Sequence, residues 1–246
     1  MQRRSFIQKS STGVFALTTV PTIVIPGDPN PEYSIEELMG KGDIPLVGAG
    51  INLRKDAHDA FVAMKKAAFQ AGFTIKIVSS YRSFDRQKVI WERKYRRYTE
   101  EQGLAPTAAI EKIIEYSTIP GTSRHHWATE VDIIDGNPTV SGDVLLADKF
   151  EKGGPFEGLK TWLDENAAKF DYHLVYTDSY FRKGFKYEPW HYSYAPLSIP
   201  MLTQFRKNNL AKLIRNEDFE GAEHFTAGFL KDYIHNNILD INPYLL

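Results

Sequence analysis

Apolar positions along this chain change their period several times, and the changes mark out its elements. Between Leu53 and Ala71, Ala57, Ala60, Phe61, Met64, Ala67 and Ala68 recur at helical spacing, and Gly72 follows as a stop. Phe73–Val78 then alternates and is rich in β-branched residues, which predicts a strand. Helical spacing returns over Phe84–Glu101 and over Ala108–Tyr116. Thr129–Ile134 reads as a short strand, Phe156–Phe170 as a helix, Tyr172–Tyr176 as a strand and Tyr187–Tyr194 as an extended final strand. Leu202–Leu239 carries a mostly helical pattern, broken near Asn216–Gly221. Ahead of these, Asp28–Gly50 is rich in Pro and Gly with scattered acids, an extended lead-in. With no internal repeat, this order predicts an α+β fold. The expectation is a small, mainly antiparallel sheet flanked by helices, with a C-terminal helical extension over residues 199–246.

The first residues fall outside that pattern. Arg3-Arg4 precede Ser5-Phe6-Ile7, and no charged side chain occurs from Ser10 through Gly27. A basic start and an apolar stretch, Gly13–Ile25, closed by Pro26-Gly27, are what an export signal requires. The stretch is too short and too rich in Thr for a membrane span. The paired arginines resemble a twin-arginine signal, so residues 1–29 are expected to direct export to a bacterial periplasm or cell envelope. With no cysteine, disulfides and a lipobox anchor are excluded.

Composition narrows the class further. The 246 residues suffice for one substantial core, and 42% hydrophobic with 25% charged residues is ordinary for a soluble domain. A formal net charge of −1 gives no reason to expect nucleic acid. Arg93-Lys94-Tyr95-Arg96-Arg97 is a local basic cluster, but Glu92, Glu100 and Glu101 flank it, and it reads as a solvated helix face.

The candidate chemistry lies in three short stretches. Asp132 sits between Val131 and Ile133-Ile134, and a carboxylate in an apolar strand must be compensated by a metal, an arginine or backbone amides. His125 and His126 precede it, while Glu188 and His191 follow in Glu188-Pro189-Trp190-His191. Two imidazoles and a carboxylate can fill three zinc positions and leave the fourth for water, and a glutamate off the metal can accept that water's proton. A regular strand would point Glu188 and His191 to opposite faces, so the assignment needs a bend, which Pro189 favours. The third stretch, Ser79-Ser80-Tyr81-Arg82-Ser83, places a guanidinium fork where a strand gives way to a helix.

Together these stretches, S-x-Y-R-S, P-G-x-S-x-H-(x6)-D and E-x-W-H-x-x-Y, resemble the VanY-type D-alanyl-D-alanine carboxypeptidases, zinc peptidases of a superfamily that includes the hedgehog signalling domain. The resemblance covers about Leu53–Tyr194, within an expected domain of residues 30–198. It implies Zn2+ held by His125, Asp132 and His191, with Glu188 as catalytic base and Arg82 meeting the substrate's carbonyl or carboxylate. It selects His125 over His126, and implies substrate binding by Ser123, with weaker matches at Gln87 and Tyr81. The implied substrates are peptidoglycan stem peptides, cut at a D,D- or L,D-bond by a monomer. A dipeptidase, an endopeptidase and a non-catalytic zinc-containing wall-binding module are the alternatives. One position departs from the pattern: Ala128 stands where relatives carry Gly.

Overall fold

The computed structural model describes residues 33–246. The expected export signal, residues 1–29, lies outside them. A short helix, α1 (Ile35–Leu38), interrupts the lead-in that the sequence suggested was extended throughout. Helix α2 (Lys55–Gln70) follows, and its buried Ala57, Phe61, Met64 and Ala68 are the positions that the helical period selected. Strand β1 (Ile75–Ser79) leads through Tyr81-Arg82 to α3 (Phe84–Arg96), whose first turn is capped by Ser83 Oγ accepting the Arg86 N–H at 3.2 Å. A π-helical turn, Arg97–Glu101, continues α3 and α4 (Pro106–Ile113) comes next. A 3-10 turn, Arg124–Trp127, then feeds β2 (Glu130–Asp135), followed by α5 (Glu157–Asn166) and β3 (Tyr172–Leu174).

Strand β4 is His191–Tyr194 only, shorter than the extended Tyr187–Tyr194 read from the sequence. Residues 187–190 instead form the bend that the site requires. The last helices are α6 (Ala195–Phe205), α7 (Leu210–Arg215) and α8 (Ala227–Tyr233). The first of these starts earlier than the sequence suggested, because Pro196 at a helix N-terminus costs no hydrogen bond. No helix of the described residues is long and apolar enough to cross a membrane.

All four strands are antiparallel, in the order β1-β2-β4-β3. Period-two alternation gives the two central strands unlike faces. Val131, Ile133 and Tyr192 pack with α2 residues Ala57, Phe61 and Met64, with Leu159 and Leu163 of α5, and with Tyr172. Glu130, Asp132, His191 and Ser193 occupy the alternate positions, and the register sets Glu130 opposite Ser193 and Asp132 opposite His191. Four polar side chains thus share one patch of sheet. A second cluster joins Trp91, Ile110, Trp127 and Tyr176 to Met201, Leu202, Phe205, Leu230, Tyr233 and Leu245. The C-terminal helices therefore complete the same core as α3 and α4, and α6 runs across the boundary expected at residue 198.

Candidate active site

Three predicted ligands meet on that patch. One donor atom each from His125, Asp132 and His191 lies within 4.8 Å of the other two, and all three side chains are buried. His125 comes from the 3-10 turn before β2. Its Nδ1 donates to the Ser80 carbonyl at 2.7 Å, which leaves Nε2 turned to Asp132 Oδ2 at 3.3 Å. His191 Nδ1 lies 3.8 Å from Asp132 Oδ1. That oxygen is buried with no hydrogen-bond partner, an anomaly for a carboxylate unless something else binds it. Burial raises the Asp132 pKa, but His125 and His191 outweigh it and the net shift is downward, so the group is an anion. Two imidazoles and a carboxylate, one of whose oxygens has no other partner, fit a divalent metal.

Glu188 stands at the edge of the same donor group, its Oε2 2.9 Å from His191 Nδ1. The bend that brings it there is held by two backbone bonds: the Glu188 N–H donates to the Tyr176 carbonyl at 3.2 Å, and the His191 N–H to the Glu188 carbonyl at 3.1 Å. Trp190, inside the bend, packs on Phe150, and its carbonyl accepts the Ile133 N–H at 3.0 Å. Glu188 and His191 reach one site because the strand begins only at His191.

Behind His191 lies a network that sequence reasoning missed. His191 Nε2 donates to Glu130 Oε2 at 3.0 Å, while Glu130 Oε1 accepts from Ser193 Oγ at 2.6 Å and pairs with Arg124 Nη2 at 3.2 Å. Burial raises the Glu130 pKa, yet Arg124, His191 and Ser193 prevail and bring it to about 2. Burial alone would lower His191, but the bonds to Glu130 and Glu188 carry it up to about 10. A buried carboxylate behind a ligand histidine fixes the ring and its tautomer. The signal was available: Glu130 precedes Asp132 by two residues and so shares its face.

His126 is placed elsewhere. Its Nδ1 donates to the Arg82 carbonyl at 2.6 Å and its Nε2 accepts the Gly121 N–H at 3.2 Å, a pattern only neutral imidazole satisfies. Full burial lowers its pKa to about 3. Gly40, at φ +78, lies so close that a Cβ there would collide with the ring.

The ligands open onto a cleft of about 490 Å³ that Arg82, Ser123, Glu188 and Trp190 also line. Arg82 is held ready: Nη1 donates to Gln87 Oε1 at 2.8 Å and Nη2 to Ser79 Oγ at 3.0 Å. Gln87 and Tyr81 are not among the residues that line the cleft. Gln87 is fully buried, with Nε2 donating to the Thr118 carbonyl at 2.8 Å, and so positions Arg82 from behind. Tyr81 lies within electrostatic reach of Asp43 and Arg54, because adjacent residues of extended chain point apart.

Residues 50–197 match the family model VanY, D-alanyl-D-alanine carboxypeptidase. An uncharacterized protein of Haemophilus influenzae is 38% identical over 107 residues, covering 43% of this chain and 82% of that protein. The Bacillus subtilis protein named "Putative carboxypeptidase YodJ" is 29% identical over 198 residues, or 80% of this chain, which spans 59% of that relative's length. Among solved structures, VanYB in complex with D-Alanine-D-Alanine gives a TM-score of 0.52 at 22% identity, covering 72% of this chain and 92% of that one. A VanY D,D-pentapeptidase mutant in complex with Zn(II) gives 0.50 at 23% identity, covering 69% and 89%. At these identities the two structures speak for the fold.

Proposed function

The chain belongs to the VanY family of D-alanyl-D-alanine carboxypeptidases, and on that premise we propose that it is an exported zinc carboxypeptidase removing the terminal D-alanine of peptidoglycan stem peptides. The observation that carries the reading is the convergence of three buried ligand groups, Glu188 and Arg82 on one cleft. His125 through Nε2, Asp132, and His191 through Nδ1 would hold the metal. Bound there, zinc supplies a Lewis acid for the scissile carbonyl and lowers the pKa of a bound water toward ~7. Glu188 accepts the attacking water's proton and returns it to the leaving amine of D-alanine. Arg82, preset by Gln87 and Ser79, receives the terminal carboxylate or the developing oxyanion through its two-pronged fork. Ser123 lines the wall the substrate must pass. A non-catalytic wall-binding module has no use for a base, whereas Glu188 is retained beside the ligands.

The test is mass analysis of muropeptides incubated with the zinc-loaded protein, each offered as free acid and as C-terminal amide. Loss of one alanine from the free acid, with the amide strongly spared, is the expected result, and D,D- and L,D-linked termini offered separately assign the bond. Equal cleavage of acid and amide would make the protein an endopeptidase, release of a dipeptide a dipeptidase. No product from any peptide would leave the binding module.

A further inference from the structure

The basic cluster Arg93–Arg97, read from sequence as a solvated helix face, is split by the fold. Arg96 pairs with Glu220, its Nε 2.7 Å from Oε1, and is not on the cleft. Arg93, Lys94 and Arg97 line the cleft wall, together with Ile90 and Tyr98 of the same helix face. Among the described residues none of these three forms an ion pair, although Lys88 on the same helix reaches Glu92 at 3.8 Å. Arg97 is exposed, with the Tyr98 ring 5.4 Å from its guanidinium carbon. Lys94 is half-buried, and burial, with the nearby Arg82 charge, pulls its ammonium pKa down. A partly desolvated ammonium of this kind gains from a second anion brought to it.

The other charges in the cleft do not supply that anion. Asp132 belongs to the ligand group, Glu188 is within electrostatic reach of Lys94 but forms no ion pair with any of the three cations, and Arg124 is neutralised from behind by Glu130. Asp143 also lines the cleft, but its Oδ1 accepts the Leu145 N–H at 3.0 Å and it pairs with none of the three cations. A substrate's terminal carboxylate would satisfy Arg82 alone. Lys94 and Arg97 are three residues apart, ~4.5 Å along the helix, neighbours on one face whose long side chains can converge on a single carboxylate.

We propose that Lys94 and Arg97 form a second carboxylate subsite, which takes an acid carried by a residue upstream of the scissile bond. The substrate class is then an acidic peptide with at least two carboxylates, one terminal and one internal. This rests on the carboxypeptidase reading for its direction along the cleft, but the binding it describes is measurable without turnover.

The experiment uses three peptides with identical backbones: internal acid with free C-terminus, internal amide with free C-terminus, and internal acid with amidated C-terminus. Affinities are measured by calorimetry on zinc-loaded Glu188→Gln protein, in the parent background and with Lys94→Gln/Arg97→Gln added; hydrolysis is measured with Glu188 intact. The doubly acidic peptide is expected to bind roughly tenfold tighter than the internal amide, the worth of one charge-assisted hydrogen bond. The preference should shrink at high salt. Lys94→Gln/Arg97→Gln should abolish it while the penalty for amidating the C-terminus persists, and Arg97→Lys should restore part of it. Equal binding of internal acid and amide by the parent overturns the proposal. So does a preference that survives in the double variant, or a double variant that loses the terminal effect instead. If no peptide is hydrolysed but the internal-acid preference is present and sensitive to Lys94 and Arg97, the subsite stands and the carboxypeptidase reading falls.

Discussion

Replacing Glu130 separates a metal site that is merely assembled from one that is held in place. Its carboxylate is fully buried and takes bonds from His191, Ser193 and Thr129 as well as the Arg124 charge. Arg124 already has Nε and Nη1 without partners, so Glu130→Ala would leave a buried guanidinium with no counter-charge. Removing one member of a buried pair costs ~3–5 kcal/mol. A domain of this size has a total stability of ~5–15 kcal/mol, so the alanine variant is expected near the folding threshold. Glu130→Gln is the informative substitution, because it keeps the shape and one acceptor while removing the charge. Its stability cost should be smaller than that of alanine, because the retained amide oxygen still accepts a hydrogen bond although Arg124 loses its counter-charge. Its zinc affinity should fall ~10–100-fold, the usual consequence of losing a carboxylate behind a ligand histidine.

Chemical denaturation gives the first number and competition with a chelator of known affinity gives the second. Glu130→Met/Arg124→Met provides the cross-check. With both charges gone, it should be more stable than Glu130→Ala alone, since the unpaired guanidinium is what costs. If Glu130→Gln takes up zinc as tightly as the parent, Glu130 does not orient His191, and the 3.0 Å bond between them is incidental.

Other variants address the remaining parts of the site. Glu188→Gln should keep zinc and lose ~10²–10⁴-fold in turnover; near-parental turnover by folded variant would point to a different base. His191→Ala should lose zinc by metal analysis while His126→Ala retains it; full occupancy in the former would sink the ligand assignment. Acid should destabilise the fold through His126. Its pKa drops from 6.5 unfolded to about 3 folded, so the unfolded chain binds the extra proton first. The stability due to this neutral ring is complete above pH ~6.5 and declines as pH falls toward 3, by ~2–3 kcal/mol at pH 4.5. A His126→Asn protein whose denaturation midpoint falls as steeply between pH 6.5 and 4.5 would assign that acid sensitivity elsewhere.

Periodicity revealed most elements because their cores are one-sided: α2 buries the face its apolar residues mark, and β2 alternates as a strand should. The ligands were legible because each lies in a short stretch with its own chemistry. What stayed hidden depends on pairing across long sequence gaps. That Glu130 meets His191 follows from the β2–β4 register, which no local pattern carries. Gln87 was drawn toward the substrate by resemblance, whereas its 2.8 Å bonds to Arg82 and to the Thr118 carbonyl turn it into a support. The basic run at residues 93–97 could not be divided from sequence, because which side of α3 meets the cleft is fixed by packing of Trp91 against Phe219 and Phe225.

Ala128 shows how a departure from family pattern acquires a physical meaning only in the fold. A methyl group at this position raises the question of crowding at the start of β2. The structure places the difficulty in the backbone instead: Ala128 has φ 57 and ψ 34, at the end of the turn that carries His125. Glycine adopts that conformation without steric penalty, whereas for alanine it costs roughly 1–2 kcal/mol. Something must hold the residue there. Its carbonyl accepts the Arg54 N–H at 3.0 Å, and its side chain is fully buried. A buried methyl contributes ~0.8 kcal/mol, and alanine also loses less chain entropy on folding than glycine would. These terms nearly offset the dihedral cost, so the turn can present His125 to Asp132 without a glycine at this position.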